Sequence, residues 1–359
     1  MSNYSRRLYN NEKFNISLID NAIVLKLDVD NNLLISSWHN AGYQENMQNV
    51  VNQSLTQSDY PVIAELTSKN FQIKRFNELG LNPDKSTGLI TSANMDSYSI
   101  ITKNYKELSV TTLVTAGADK NAVKAGDNAS FYEYNNKYQP IAGTINIITF
   151  IDANLEAGAL TTALITITEA KTSVLEDLKI QSNFSTHIAT GTGTDGVCVI
   201  SNTSSDNHLE NAGKHSKLGE LIGKSVREAV IEALYLQTGM CPDYQKTVLS
   251  RLSRFNITFD DFYDKVNCVS LAEYASLFYQ FNKDEYYVSW ISCMFNLVDE
   301  YQTGLLTLKD ISKSIIVLTN SFLSLDKKIV EFKSINQIID YVIDSVNEYL
   351  LMINPIYFI

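Results

Sequence analysis

Through the first half of the chain, apolar residues recur in short runs at strand length. Residues 22–29 and 33–37 read as two strands joined by a turn at Asp30-Asn31-Asn32. Residues 89–91, 98–103 and 110–115 read as three more. The Gln- and Asn-rich stretch 43–57 reads as helix. Residues 145–151 are apolar almost throughout, which predicts a strand buried on both faces of a sheet. From residue 160 the period changes. Leu160, Ala163, Leu164, Ile167, Ala170, Val174, Leu175 and Leu178 share one helical face, with Asn154 as the N-cap ahead of them. Residues 188–200 return to strand character, and a second amphipathic helix, 216–236, turns Leu218, Leu221, Ile222, Val226, Val230 and Leu234 inward.

Beyond Pro242 glycine almost disappears, Tyr and Phe become abundant, and helices are expected over 243–255, 259–281, 284–297, 308–323 and 335–351. The expected organisation is a domain at 1–240 and a helical extension or small helical domain at 241–359. The expected fold class is α+β: a mixed or antiparallel sheet layered with helices 156–178 and 216–236, plus the all-helical extension, whose plainest roles are packing or oligomerisation. Windows 86–99 and 185–198 align without gaps, matching Ser86, Thr87, Thr91 and Asp96 to Ser185, Thr186, Thr190 and Asp195. The match is either chance or a duplicated strand-turn-strand unit.

A net charge of −11 disfavours nucleic acid and anionic membrane surfaces as partners. No apolar run reaches the roughly 18–20 residues that span a bilayer, and residues 1–15 lack the apolar core of a secretory signal. Cys198, Cys241, Cys268 and Cys293 form no CxxC pair and read as reduced, mostly buried thiols, which points to a cytoplasmic location. There is no GxxxxGK[ST] loop, no GxSxG elbow and no HExxH motif, and no local spacing suggests a metal.

The candidate chemistry centres on Ala189-Thr190-Gly191-Thr192-Gly193-Thr194-Asp195, seven residues without a large side chain. Taken alone it reads equally as a polar β-hairpin. As a site, Gly191 and Gly193 let backbone approach a ligand and offer amides for an oxyanion hole. Thr192 and Thr194 offer hydroxyls, and Asp195 is a base, a group that orients a histidine, or simply the cap of an Asx turn. His215, just before a helix, is the best placed of four histidines for proton transfer, with Glu220 one turn further on. Glu169 and Lys171 interrupt an otherwise apolar and threonine-rich helix on different faces; either could reach the site, or sit at a solvated edge. Asn146 lies in a run that should be buried and needs a partner, in a ligand or in the fold.

The blocks that flank this stretch, taken in order, resemble the adenosylcobinamide amidohydrolase family of corrinoid-salvage enzymes. They run from Ser36-Ser37-Trp38-His39-Asn40-Ala41-Gly42 through Thr87-Gly88-Leu89-Ile90-Thr91-Ser92-Ala93 and Val114-Thr115-Ala116-Gly117 to Ala125-Gly126-Asp127. They continue with Gly143-Thr144-Ile145-Asn146, Thr168-Glu169-Ala170-Lys171-Thr172, the Gly191–Asp195 turn and the run from Gly213 to Gly223. Together they cover roughly residues 30–240. The resemblance implies hydrolysis of the aminopropanol amide of adenosylcobinamide to adenosylcobyric acid, with the corrinoid as substrate rather than cofactor and the metal requirement left open. Within the matching blocks Asp195, His215, Thr194 and Glu220 are the expected catalytic set. Ser36, Ser37, Asn146, Glu169, Gly191, Thr192 and Gly193 are the expected substrate contacts. A homo-oligomer is compatible with this reading. Ala41 departs from the glycine expected beside Gly42, and Trp38 adds bulk; if that loop touches the corrin or nucleotide end, substrate preference shifts. The rivals are a non-catalytic corrinoid-binding carrier or regulatory module, and an amidase of unrelated substrate.

Overall fold

A computed structural model describes residues 5–130, 132, 143–266 and 269–354. The chain divides into two compact units, Met1–Cys241 and Pro242–Ile359. In chain order the first unit comprises β1 (Ser5–Asn10), β2 (Phe14–Ile19), β3 (Ala22–Leu27), β4 (Asn31–Ile35), β5 (Gly42–Glu45), β6 (Asn49–Ser54), α1 (Asp59–Glu78), β7 (Ser86–Thr91), β8 (Tyr98–Tyr105) and β9 (Leu108–Ala116). It continues with β10 (Ala122–Val123), β11 (Ile145–Ile151), β12 (Asn154–Leu155), α2 (Ala157–Asp177), β13 (Gly191–Thr192), β14 (Gly196–Asn202), β15 (His208–Leu209) and α3 (Lys217–Thr238).

Two mixed sheets result. One has the order β1-β2-β3-β6-β7 and the other β5-β4-β14-β11-β9-β8. Each is antiparallel except for a single parallel pair, β6 with β7 and β11 with β14. Parallel neighbours need a crossover connection, and α1 and α2 supply one each. Strand alternation then builds the layers. Ile23 and Leu25 of β3 with Val50 and Leu89 pack against Leu33, Leu113, Ile148, Phe150 and Ile200 of the other sheet. The opposite face of the first sheet (Ala22, Val24, Val51) receives Phe76 of α1. The opposite face of the second (Val110, Val114, Ile145, Ile147, Val199) receives α2 and α3. The fold is therefore α+β as expected, with two facing sheets between helices where a single layered sheet was anticipated.

Several local expectations change. Residues 43–57 are not helical but form β5 and β6: Asn49, Asn52 and Gln53 are buried polar residues, with Asn49 bonding Ser86 across the sheet, Asn52 bonding Thr115 of the facing sheet, and Gln53 bonding the Asn21 and Ser54 carbonyls and Arg75 of α1. The helix comes later, as α1, which has a polar interior and so gave little periodic signal. The strands at 22–29 and 33–37 do not pair; β3 belongs to the first sheet and β4 to the second. Asn154 sits in β12 opposite His208, and the N-cap of α2 is Glu156. The windows 86–99 and 185–198 are not equivalent. Ser86 opens a sheet strand while Ser185 lies outside any strand, and Asp96 is an exposed partner of Arg6 while Asp195 is largely buried.

The α3 helix is closed at both ends. Ser216 caps its first turn by accepting from the Gly219 amide at 3.0 Å, and Gly239 ends it in the left-handed conformation. Gly219 sits against the Gly213 carbonyl so closely that a Cβ could not fit. The close approach of Gly219 to Gly213 thus fixes helix entry.

The second unit contains α4 (Val248–Leu252), α5 (Phe259–Tyr263), α6 (Leu271–Lys283), α7 (Glu285–Gln302), α8 (Leu308–Leu323) and α9 (Ile335–Ile353). They enclose a separate core of Phe262, Tyr274, Trp290, Met294, Ile315 and Val346. The segment expected as one helix over 259–281 is split, because Ser270 and Glu273 form a capping box that starts α6 afresh. Of the cysteines, Cys198 is buried, Cys241 half-buried and Cys293 exposed, so mostly buried thiols are not what the fold provides; Cys268 lies outside the described residues. Burial pushes the Cys198 thiol well above its usual range. No described helix is long and apolar enough to cross a membrane.

Candidate active site

At one end of the six-stranded sheet, β9 finishes while β11 and β14 begin, and the glycine turn arrives through β13. There Asp195 is the hub. Its Oδ1 accepts from Thr192 Oγ1 at 2.5 Å, from the Thr192 amide at 3.1 Å and from the Ile145 amide at 3.2 Å. Its Oδ2 accepts from Lys171 Nζ, which α2 projects from its buried side. The Lys171 and Asp195 side chains are 7% and 14% exposed, so this is a buried ion pair. Gly191 makes room for it: a Cβ there would fall 2.6 Å from Lys171 Nζ and closer still to Asp195 Oδ2.

The outer rim of the turn is polar. Thr194 Oγ1 donates to the Gly143 carbonyl at 2.7 Å and accepts from Asn121 Nδ2 at 3.2 Å. Thr144 Oγ1 donates to the Thr194 carbonyl at 2.6 Å, and Ser92 Oγ accepts from the Gly143 amide at 2.8 Å. The Gly193 amide is taken by the Asn121 carbonyl at 3.2 Å, and the Thr192 amide by Asp195. Neither amide is free for an oxyanion. Thr192 is buried, and Thr194 and Gly193 face solvent.

Ser36, Ser37 and Asn146 sit just behind this turn. Ser36 Oγ accepts from the Val197 amide at 3.0 Å, which joins the Ser36 loop to β14. The last strand of the first sheet, β7, presents a free edge, and side chains close it. Asn40 Nδ2 donates to the Ser86 carbonyl, Ser37 Oγ and Gln72 Nε2 to that of Gly88, and Asn146 Nδ2 to that of Ile90. Asn146 also donates to Asn52 Oδ1 at 2.8 Å, and Asn52 to Thr115 Oγ1 at 2.8 Å, a polar bridge between the two sheets. Among the described residues Asn146 Oδ1 and Asn121 Oδ1 are buried without a partner.

His215 and Glu220 lie at the N-terminal end of α3, and Glu169, two residues before Lys171 on α2, turns to the surface. The C-terminal end of α3 meets the site end of the sheet, where Leu236 and Gln237 bond Ser97 and Asn94. Its N-terminal end carries Lys217 over the Tyr105 ring at the far end of β8. The 22 residues of α3 separate these ends by about 33 Å. His215, exposed in the turn before Lys217, makes no side-chain hydrogen bond among the described residues, to Asp195 or to anything else. Glu220 is paired with Lys217 and Lys224, and hydrogen bonds from Lys217 first and Lys224 second hold its carboxyl down at about 2. Glu169 pairs at the surface with Lys214. The structure thus unites Asp195, Thr192, Thr194, Gly191 and Gly193, with Asn146 behind them, and leaves His215, Glu220 and Glu169 apart.

Two residues gain importance that were not among the expected site residues, although Lys171 had been named as one that could reach the site. Lys171 was visible as a cation within an apolar helix, where a carboxylate partner is required. Asn121 was legible only as part of the matching run that continues through Asn121-Ala122, since its role depends on the turn folding back onto it. Among the described residues, no group of three His, Cys, Asp or Glu side chains is arranged to hold a metal ion.

Comparison with known proteins adds the following. The family model for adenosylcobinamide amidohydrolase matches residues 6–242. The chain is 38% identical over 181 residues to an uncharacterized protein of Methanocaldococcus jannaschii, spanning 47% of this chain and 70% of that protein. It is 35% identical over 158 residues to the adenosylcobinamide amidohydrolase of Methanosarcina mazei, spanning 42% of this chain and 64% of that one. Among solved structures, an L-aminopeptidase D-Ala-esterase/amidase from Ochrobactrum anthropi aligns with 65% of this chain and 83% of its own, at a TM-score of 0.33 and 9% identity.

Proposed function

The chain belongs to the adenosylcobinamide amidohydrolase family, and from that membership we propose that it cleaves the amide joining aminopropanol to the corrin ring, releasing adenosylcobyric acid and the free amine. The carbonyl carbon gains OH and the leaving nitrogen gains H, both from water. The observation that carries the assignment of the centre is Thr192 Oγ1 lying 2.5 Å from a carboxylate oxygen whose twin faces a buried lysine.

Thr192 Oγ1 is the nucleophile in this reading. An alcohol attacks poorly until a neighbouring base takes its proton, and Asp195 Oδ1 is in hydrogen-bond contact with it. Lys171 offsets the charge of Asp195, and the Ile145 and Thr192 amides fix the carboxylate's orientation. In this reading the Thr194 amide, at the solvent-facing rim of the turn, meets the oxyanion that forms when Oγ1 adds to the carbonyl. The proton held on Asp195 then passes to the departing amine, and water cleaves the resulting ester by the same route in reverse.

The test is incubation of the full chain with adenosylcobinamide and separation of products by chromatography and mass. Adenosylcobyric acid is expected with wild type and T192S and is absent with T192A. A covalent adduct on the peptide carrying Thr192 is expected on rapid quench. Unchanged turnover in T192A overturns the nucleophile and leaves direct attack by water. Binding without turnover in wild type overturns the hydrolase reading in favour of a carrier.

A further inference from the structure

One large apolar side chain beside the turn has no place in the chemistry above. Phe184 is 41% exposed, at the tip of a hairpin closed by the Gln181–Ile188 bridge and by the Ser182 amide donating to the His187 carbonyl at 2.9 Å. The tip is firmly held. The Phe184 amide donates to Ser182 Oγ at 3.0 Å, and that hydroxyl donates to Asp127 Oδ2 at 2.7 Å. The Asn183 amide donates to the Ala122 carbonyl at 2.8 Å, and Asn183 Nδ2 to that of Asp119 at 3.1 Å.

The same short segment grips the reaction centre from its other side. Ala122 pairs with Thr192, and Asn121 bonds both the Gly193 amide and Thr194 Oγ1. Residues 119–122 therefore form a bracket between the hairpin tip and the glycine turn, and this fixes Phe184 beside the turn. A polar residue would satisfy every hydrogen bond of this hairpin at no cost in exposed apolar area, since the tether uses main chain and the side chains of its neighbours. An exposed aromatic ring on a main chain tethered in this way is suited to a ligand with a broad apolar face.

We propose that Phe184 is a specificity-determining residue that packs against a planar apolar face of the substrate and so seats the scissile amide over Thr192. The inference rests on the hydrolase reading above, and supplies what that reading lacks, a contact for the part of the substrate remote from the reacting bond. Such binding is uniform between ground and transition states, so it acts on KM and leaves kcat largely alone.

Steady-state kinetics and equilibrium dialysis on the full chain test it with F184A, F184W and F184L. F184A is expected to raise KM and the dissociation constant for adenosylcobinamide about ten-fold with kcat within about twofold, and F184W to restore both. F184L falls between, and the melting temperature stays at the wild-type value. Repeating the dialysis with dicyanocobinamide, which lacks the adenosyl group, separates two sources of the planar face: persistence of the effect assigns it to the corrin, and its loss to the adenine. Dissociation constants unchanged in F184A overturn the proposal, as does a matching fall of kcat and melting temperature that F184W does not rescue. Dialysis reads Phe184 even if wild type fails to turn over, so failure of the hydrolase reading and failure of this inference are distinct results.

Discussion

Replacing Lys171 with methionine keeps most of the side chain's volume and removes the cation that faces Asp195. Breaking one side of a buried ion pair typically costs 3–5 kcal/mol, because a charge is left desolvated. Asp195 retains three hydrogen bonds, from Thr192 Oγ1 and from the Thr192 and Ile145 amides, and its side chain is 14% exposed. The low end of that range, about 3 kcal/mol, is therefore expected for K171M. D195N strands the Lys171 ammonium at 7% exposure and should cost a similar amount. In the double variant no charge is left unpaired, and its loss should fall short of the summed single losses by about 2 kcal/mol. Amide hydrogen exchange reads this within one unit. At 1.4 kcal/mol per decade, K171M should speed exchange along β11 about 100-fold while α7 in the separate core of the second unit keeps the wild-type rate. An increase below about fivefold, or single effects that simply add in the double variant, would refute the claim that this pair is buried and coupled.

Three further outcomes follow from the geometry. G191A drives a methyl into Lys171 and Asp195; it should cost about 1–3 kcal/mol in stability and about 100-fold in turnover, checked by denaturation and kinetics. H215A, at an exposed position remote from the turn, should leave turnover within about twofold of wild type, and a loss comparable to T192A would mean that the α3 entry swings into the site. Glu220 has a folded pKa near 2, below its ordinary value of 4.5. An acid depressed in this way contributes stability that is fully present above the unfolded value and disappears as pH falls through the folded one. Melting curves of wild type and E220Q should therefore differ slightly at neutral pH and converge between about pH 4.5 and 2. The gap should also shrink in high salt, because the pair is at the surface.

The parts of the fold that announced themselves were those where side-chain period and environment agree. Helix α2 showed its stripe because Leu160, Ala163, Ile167 and Val174 all face one sheet, and β11 showed as a continuous apolar run because both of its faces are covered. Strand β6 was misread because Asn49, Asn52 and Gln53 satisfy their polar groups inside the fold, where composition alone suggests solvent. At the site, the glycine turn was legible from its lack of side chains, and Asp195 from its position at the end of it. Its true partner was not. Histidine chemistry favoured His215, whereas the fold answers Asp195 with Lys171, a residue set 24 positions earlier on a helix that crosses behind the turn. The glycines around His215 belong to the packing of Gly219 on Gly213, a steric demand that looks the same in sequence as a binding loop.

The side chains that close β7 also decide how copies of this chain can meet. A sheet grows by strand addition only where its outermost carbonyls and amides are free. On β7 the Ser86, Gly88 and Ile90 carbonyls already have donors from Asn40, Ser37, Gln72 and Asn146, so a strand from another molecule finds no acceptors there. The opposite border of that sheet is β1, which carries exposed Arg6, paired with Asp96, and exposed Arg7, and a charged edge of this kind is a poor template for strand addition. One border thus has outward carbonyls already occupied and the other carries charge, two features that disfavour strand addition to this sheet.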